Sequence, residues 1–111
     1  MGLEIKQDET RAVVDVQDEM TIYTAALHWD ELKPLLAKVK AIEINLSAVS
    51  EIDSAGVQLL LALMQESERL HNQFLLRDPA DEVQALLKLL HLDQQLLPAR
   101  PDATQEGVQH G

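Results

Sequence analysis

The sequence predicts an α/β domain in the order β-β-α-β-α-β-α. Three observations predict it. Two short stretches near the N-terminus alternate apolar and polar residues with a period of two. A run over residues 41–46 places Ile42, Ile44 and Leu46 between two stretches of helical apolar spacing. A third helical pattern follows the short apolar run QFLLR. Strands that alternate with helices imply a sheet largely parallel at its centre, with the antiparallel hairpin at one end.

The hairpin is expected over residues 3–6 and Arg11–Val16, joined by Gln7-Asp8-Glu9-Thr10. Residues 17–21 read as a polar connection, and Thr21 or Thr24 as the cap of the next helix. That helix spans residues 22–40, with Ala25, Ala26, Trp29, Leu32, Leu36 and Val39 as its apolar stripe. Pro34 inside it predicts a kink near Asp30–Glu31 or a break, since interior proline costs about 3 kcal/mol. His28 and Glu31 share one face and are expected to be solvated.

After the strand at 41–46, residues 47–53 read as a polar connection carrying Val49 and Ile52. The next helix runs over residues 54–70 on a stripe of Val57, Leu60, Leu61 and Met64. Leu59 and Leu63, like Leu89 further on, lie off the best stripes. They either pack because the helix is apolar nearly all round, or form a partner-binding patch. Asn72 is the expected left-handed residue at the helix end. QFLLR is a strand, and Asp78-Pro79 then reads as a cap with proline in the first helical position. Val83, Leu86, Leu87 and Leu90 form the third stripe, and residues 92–97 a last short strand or turn. The domain is placed at residues 1–98, and residues 99–111, rich in Pro, Gly and polar side chains, as a disordered tail.

Composition removes several function classes. The 111 residues carry a formal charge of −10, which argues against nucleic acid and anionic membranes as partners. There is no cysteine, hence no thiolate site or cysteine nucleophile, which fits a reducing cytoplasm. The start MGLEIKQDE has neither a cationic nor an apolar signal segment, and no apolar run is long enough to insert into a membrane. Of four glycines only Gly56 lies inside the expected fold, and no phosphate-cradling loop or nucleophile elbow is present. The four histidines show no metal-ligand spacing, so no metal or other cofactor is expected.

The candidate site is the strand-to-helix turn at Asp53-Ser54-Ala55-Gly56. Ends of strands in open α/β sheets are where sites are built, and a helix N-terminus offers unpaired N–H groups. Ser54 has two readings. As a helix N-cap, Asp53 or Ser54 accepts a bond from a backbone N–H, worth about 1 kcal/mol. As a phosphoacceptor, Ser54 gains roughly two negative charges beside Asp53 and Glu51, altering surface potential more than fold.

The residues Leu46-Ser47, Val49, Ile52-Asp53-Ser54-Ala55-Gly56, Val57 and Leu60 resemble the signature of STAS domains. This is the family of sulfate-transporter tails and anti-sigma factor antagonists. The resemblance covers about residues 3–98. It implies a mixed four- to five-stranded sheet with helices mainly on one face, and a non-catalytic protein of a bacterial partner-switching pathway. By that resemblance Ser54 is phosphorylated by an anti-sigma factor that is also a serine kinase with a histidine-kinase-like ATPase fold. A metal-dependent serine phosphatase resets it. The implied partner-binding residues are Thr21, Ser50, Glu51, Asp53, Ser54, Ala55, Gly56, Gln58 and Leu59. The sequence departs from the pattern at Asn45, Ala55 and Thr21, where the family has Asp, Ser and often an acidic residue. Small STAS proteins also serve in chemosensory operons, and as accessory subunits of an ABC transporter ATPase for phospholipids. No loop here demands nucleotide binding.

Overall fold

The computed structural model describes residues 2–97. The elements are β1 Leu3–Gln7, β2 Arg11–Val16, β3 Asp18–Met20, α1 Ala25–Lys38, β4 Ala41–Asn45, β5 Val49–Ile52, α2 Ser54–Arg69, β6 Gln73–Arg77, α3 Asp81–Leu89 and α4 Asp93–Leu96. The expected tail lies outside the described residues.

β1, β2, β4 and β6 form a four-stranded sheet in that order. The β1–β2 hairpin is antiparallel, whereas β2–β4 and β4–β6 are parallel. The hairpin turn is held by Asp8 Oδ1, which accepts from the backbone N–H of Thr10 and Arg11 at 2.9 Å each. Alternation fixes the faces of the sheet. Val14, Val16, Ile42, Ile44 and Leu76 point into a core completed by apolar residues of the helices. Their neighbours Asp15, Glu43 and Arg77 point the other way and are half-buried. Glu43 Oε2 there accepts from Arg77 Nη1 at 2.7 Å. The sheet is therefore mixed and covered on one face, as the sequence predicts.

Several findings depart from the sequence reading. The two segments read as polar connections contain β3 and β5, which pair in parallel as a separate two-stranded sheet. Pro34 does not break α1. Asp30 and Pro34 are both exposed, so the carbonyl that loses its donor faces water. The stripe of α1 is His28, Leu32, Leu35 and Leu36, while Ala26 is exposed. His28 is therefore buried, not solvated. Burial lowers its pKa while Glu31 opposes this, and among the described residues its Nδ1 finds no hydrogen-bond partner.

The stripe of α2 is also turned about its axis. Leu59 and Leu63 are fully packed, whereas Leu61 and Met64 are half-buried. α2 is wedged between α1 and the sheet, so both of its flanks are used. Leu89 stays exposed. α3 starts later than expected, at Asp81 with Ala80 before it, because Asp78 turns left-handed (φ 50°) where β6 ends. Residues 93–96 form one helical turn rather than a strand.

α2 and α3 end in the same way. His71, at φ 61°, occupies the left-handed position that Asn72 was expected to fill, and His91, also at φ 61°, occupies the equivalent position after α3. Asn72 N–H donates to Ser67 O and His71 N–H to Glu68 O, the paired bonds of a Schellman end. Leu92 and His91 repeat the pattern onto Leu87 and Lys88. Asn72 instead ties this end to α1, donating from Nδ2 to Leu36 O at 2.7 Å. Left-handed backbone penalises a Cβ. His71→Gly and His91→Gly are each expected to stabilise the domain by roughly 0.5–1 kcal/mol, read as a higher denaturant midpoint at unchanged slope.

Candidate functional site

β3 and β5 run parallel, with Met20 opposite Ile52, so their carboxyl ends lie side by side. The chain leaves β3 toward α1 and β5 toward α2, and the two turns meet. Asp53 joins them. Its Oδ1 accepts from Ala55 N–H at 2.9 Å and Gly56 N–H at 3.2 Å, capping α2. Its Oδ2 accepts from Ile22 N–H at 3.1 Å across the gap to the other turn. Its own N–H donates to Met20 O at 3.2 Å. Gly56 lets this happen: a Cβ there would stand 2.2 Å from Met20 O.

Partial burial pulls the Asp53 carboxyl upward, but the N–H groups of Ile22, Gly56, Ala55 and Asp53 itself outweigh it and hold the pKa below the ordinary 3.8. A depressed folded pKa gives stability that is present above the unfolded value and is lost as pH falls through the folded value. Asp53→Asn is therefore expected to flatten the loss of thermal stability below about pH 4. The check is unfolding temperature against pH for both proteins. An unchanged acid limb would mean that these bonds do not form. Asp8, held low by Thr10 and Arg11 N–H groups, keeps part of the limb in either protein.

Since Asp53 is the cap, Ser54 is not. It is the first residue of α2, exposed, and among the described residues its hydroxyl has no hydrogen-bond partner. The hydroxyl therefore stands free at a helix N-terminus. Both oxygens of the neighbouring Asp53 are taken by backbone N–H groups. Among the described residues no group of three or more His, Asp or Glu is placed to hold a metal ion. No helix among them is long and apolar enough to cross a membrane.

The family model described as "Mlab, STAS domain" matches residues 3–98. The chain belongs to the STAS family. Its fold is similar to that of the anti-sigma factor antagonist SpoIIAA in its unphosphorylated form, with a TM-score of 0.74 and 19% identity over 98% of this chain and 97% of that one. It is similar to an anti-sigma factor antagonist from Mycobacterium paratuberculosis, with a TM-score of 0.69 and 24% identity over 94% and 91% of the two chains. It is also similar to a sulfate transporter family protein from Wolinella succinogenes, with a TM-score of 0.62 and 19% identity over 76% and 69%. At these identities the likeness speaks to the fold.

On this STAS domain the sequence-predicted site residues separate into two groups. Ser50, Glu51, Ser54 and Gln58 are exposed, and Asp53 and Ala55 are half-buried. Thr21 and Leu59 are only 4% and 5% exposed, so as they stand neither presents a surface to a partner. Leu59 packs, as one of its two readings had it. Thr21 builds the turn: its Oγ1 donates to Glu19 Oε2 at 2.7 Å and accepts from Tyr23 N–H at 3.2 Å. Gly56 is buried against Met20 and shapes the site from beneath.

Three exposed apolar side chains beside this STAS turn were not singled out from the sequence. Ile22, Tyr23 and Leu27 are 69%, 84% and 66% exposed. Their signal is that they cluster at a helix start but fall off its buried stripe. A groove of about 350 Å³ runs between α1 and α2 beside them, floored by Leu59 and edged by Trp29 and Gln58.

Proposed function

We propose that this STAS domain is a non-catalytic docking protein of the anti-sigma factor antagonist type, acting in the cytoplasm. Its partner is a serine kinase with a histidine-kinase-like ATPase fold, its switch is phosphorylation of Ser54, and a serine phosphatase resets it. The observation that carries this reading is the free Ser54 hydroxyl. Asp53 has taken over the capping, so Ser54 has no structural duty and can be modified without unmaking the helix. A phosphate there adds about −1.5 to −2 charges at neutral pH. The α2 N-terminus tolerates that charge, so the fold survives. Asp53 and Glu51 do not offset it, so a docked surface meets a much more negative face.

A second reading is favoured by the description of the matching family, which carries the name Mlab. In that reading the same turn supports the ATPase of an ABC transporter for phospholipids and Ser54 is never modified. Ala55 in place of a second serine is compatible with both. The experiment is co-purification from native lysate with wild type, Ser54→Ala and Ser54→Asp, with intact mass reading phosphate on the wild type. A kinase-like ATPase retained by wild type and Ser54→Ala but released by Ser54→Asp carries the first reading. A transporter ATPase held equally by all three, with no phosphate on Ser54, carries the second and overturns the first.

A further inference from the structure

Glu19 and Glu51 face each other across the β3–β5 pair. Like charges directly opposite in a sheet are destabilising. No lysine or arginine lies between Arg11 and Lys33 or between Lys40 and Arg69. These two stretches build β3, the start of α1, β5 and most of α2. Among the described residues, these stretches therefore supply carboxylates and no lysine or arginine to this end of the molecule. The nearest base along α1, Lys33, is held 5.4 Å over the Trp29 ring.

The same end carries the apolar ridge of Ile22, Tyr23 and Leu27. It stands between two depressions. One is the α1–α2 groove. The other is a cleft of about 580 Å³ lined by Leu27, His28, Glu31, Asp18, Glu19 and Ser50, among others. The ridge is anchored from below by Thr21 and by the Asp53 bond to Ile22 N–H, so its side chains are presented rather than loose. An exposed apolar cluster rimmed by one sign of charge marks a protein interface. A two-fold contact of this face with itself would set like charge against like charge, and an anionic membrane would be repelled.

We propose that Ile22, Tyr23 and Leu27 seat in an apolar recess of a partner protein whose rim is lysine and arginine, with those bases placed against the Glu19–Glu51 pair. This rests on the reading of the Ser54 face as a docking surface and adds the chemistry of what docks. The carboxylate pair destabilises the free domain, and a cationic partner seated against both carboxylates relieves that repulsion. Glu51→Gln is then a substitution that stabilises the free protein while weakening the complex.

The probe is an amphipathic helical peptide of leucine and lysine, LKKLLKLLKKLLKL, titrated into the isotope-labelled full chain and followed by amide chemical shifts. The expected shifts centre on Glu19, Ile22, Tyr23, Leu27 and Glu51. Tyr23→Ala and Glu51→Gln each weaken binding by roughly tenfold, and raising the salt weakens it further. The same peptide with glutamate for lysine shifts nothing. Shifts that centre elsewhere, or affinity indifferent to Tyr23→Ala, overturn the proposal. Self-association of the chain that Tyr23→Ala abolishes, without peptide shifts on the ridge, assigns the surface to a second copy and also overturns it. If Ser54→Asp releases the native partner while Tyr23→Ala and Glu51→Gln do not, the docking reading stands and this proposal alone fails.

Discussion

Gly56→Ala is expected to lower the stability of the domain by about 3 kcal/mol, at the upper end of what overpacking costs. The added Cβ would sit 2.2 Å from Met20 O and 2.9 Å from Met20 C, both backbone atoms at the end of β3. A flexible side chain could move aside, but a backbone carbonyl already held by Asp53 N–H, on a residue whose side chain is fully buried, cannot do so cheaply. To relieve the contact, α2 must lift from β3. That lengthens the bond from Asp53 N–H to Met20 O and pulls Asp53 Oδ2 away from Ile22 N–H. Alanine regains up to about 1 kcal/mol of helix propensity, which is too little to offset this. In a domain of this size the net change moves the melting temperature by about 10 °C or more. A melting temperature at or above the wild-type value would show that β3 and α2 do not approach this closely.

Ser54→Asp is expected to weaken partner binding by at least about a hundredfold, near 3 kcal/mol, in the range for a like charge buried at an interface. The same substitution should leave stability within about 0.5 kcal/mol. The reason is positional. Residue 54 is the first residue of α2, where a negative charge interacts favourably with the helix N-terminus. Asp53 already supplies the cap bonds, so none are lost. Repulsion from Asp53 and Glu51 roughly cancels the helix contribution. Calorimetric titration against the purified partner and a denaturant melt, run on the same preparation, read the two quantities separately. Loss of binding together with loss of stability would mean that Ser54 acts through the fold. No loss of binding would return Ser54 to an ordinary surface residue.

The parts of the fold that the sequence makes legible are those with a sustained period. Val14 and Val16, then Ile42 and Ile44, alternate long enough to fix strand, face and order. The apolar density after Gly56 fixes a helix, and the run Ile52-Asp53-Ser54-Ala55-Gly56 locates its start. β3 and β5 escaped because three or four residues are too few to show a period, and Glu19, Ser50 and Glu51 make them read as polar connections. Asp53 and Ser54 compete for one capping role, and only three-dimensional placement assigns it. The Asp53 bond to Ile22 N–H spans 31 residues, which no local pattern encodes. His28 looked solvated because Glu31 lies on its face, yet the ring is covered by the chain start: a Cβ at Gly2 would sit 3.0 Å from its Nε2. The ridge of Ile22, Tyr23 and Leu27 was visible as apolar letters. Its exposure follows from the turn that Thr21 and Thr24 make before α1, with Thr24 Oγ1 accepting from Thr21 N–H at 3.0 Å.

The separation of β3 and β5 from the main sheet sets where this molecule can yield. A two-stranded ribbon is marginal by itself, and this one has a register irregularity at Asp18–Glu19, with Asp18 at φ 70°. The four-stranded sheet does not share hydrogen-bonded strands with the ribbon, and of the ribbon only Met20 and Val49 are buried in the common core. Amides of the ribbon therefore open to solvent exchange in a step well below global unfolding, while those of β2 and β4 wait for the whole domain to open. The recognition end is thus a semi-independent cooperative unit. Its strand pairing can open while Met20 and Val49 keep its base fixed in the shared core.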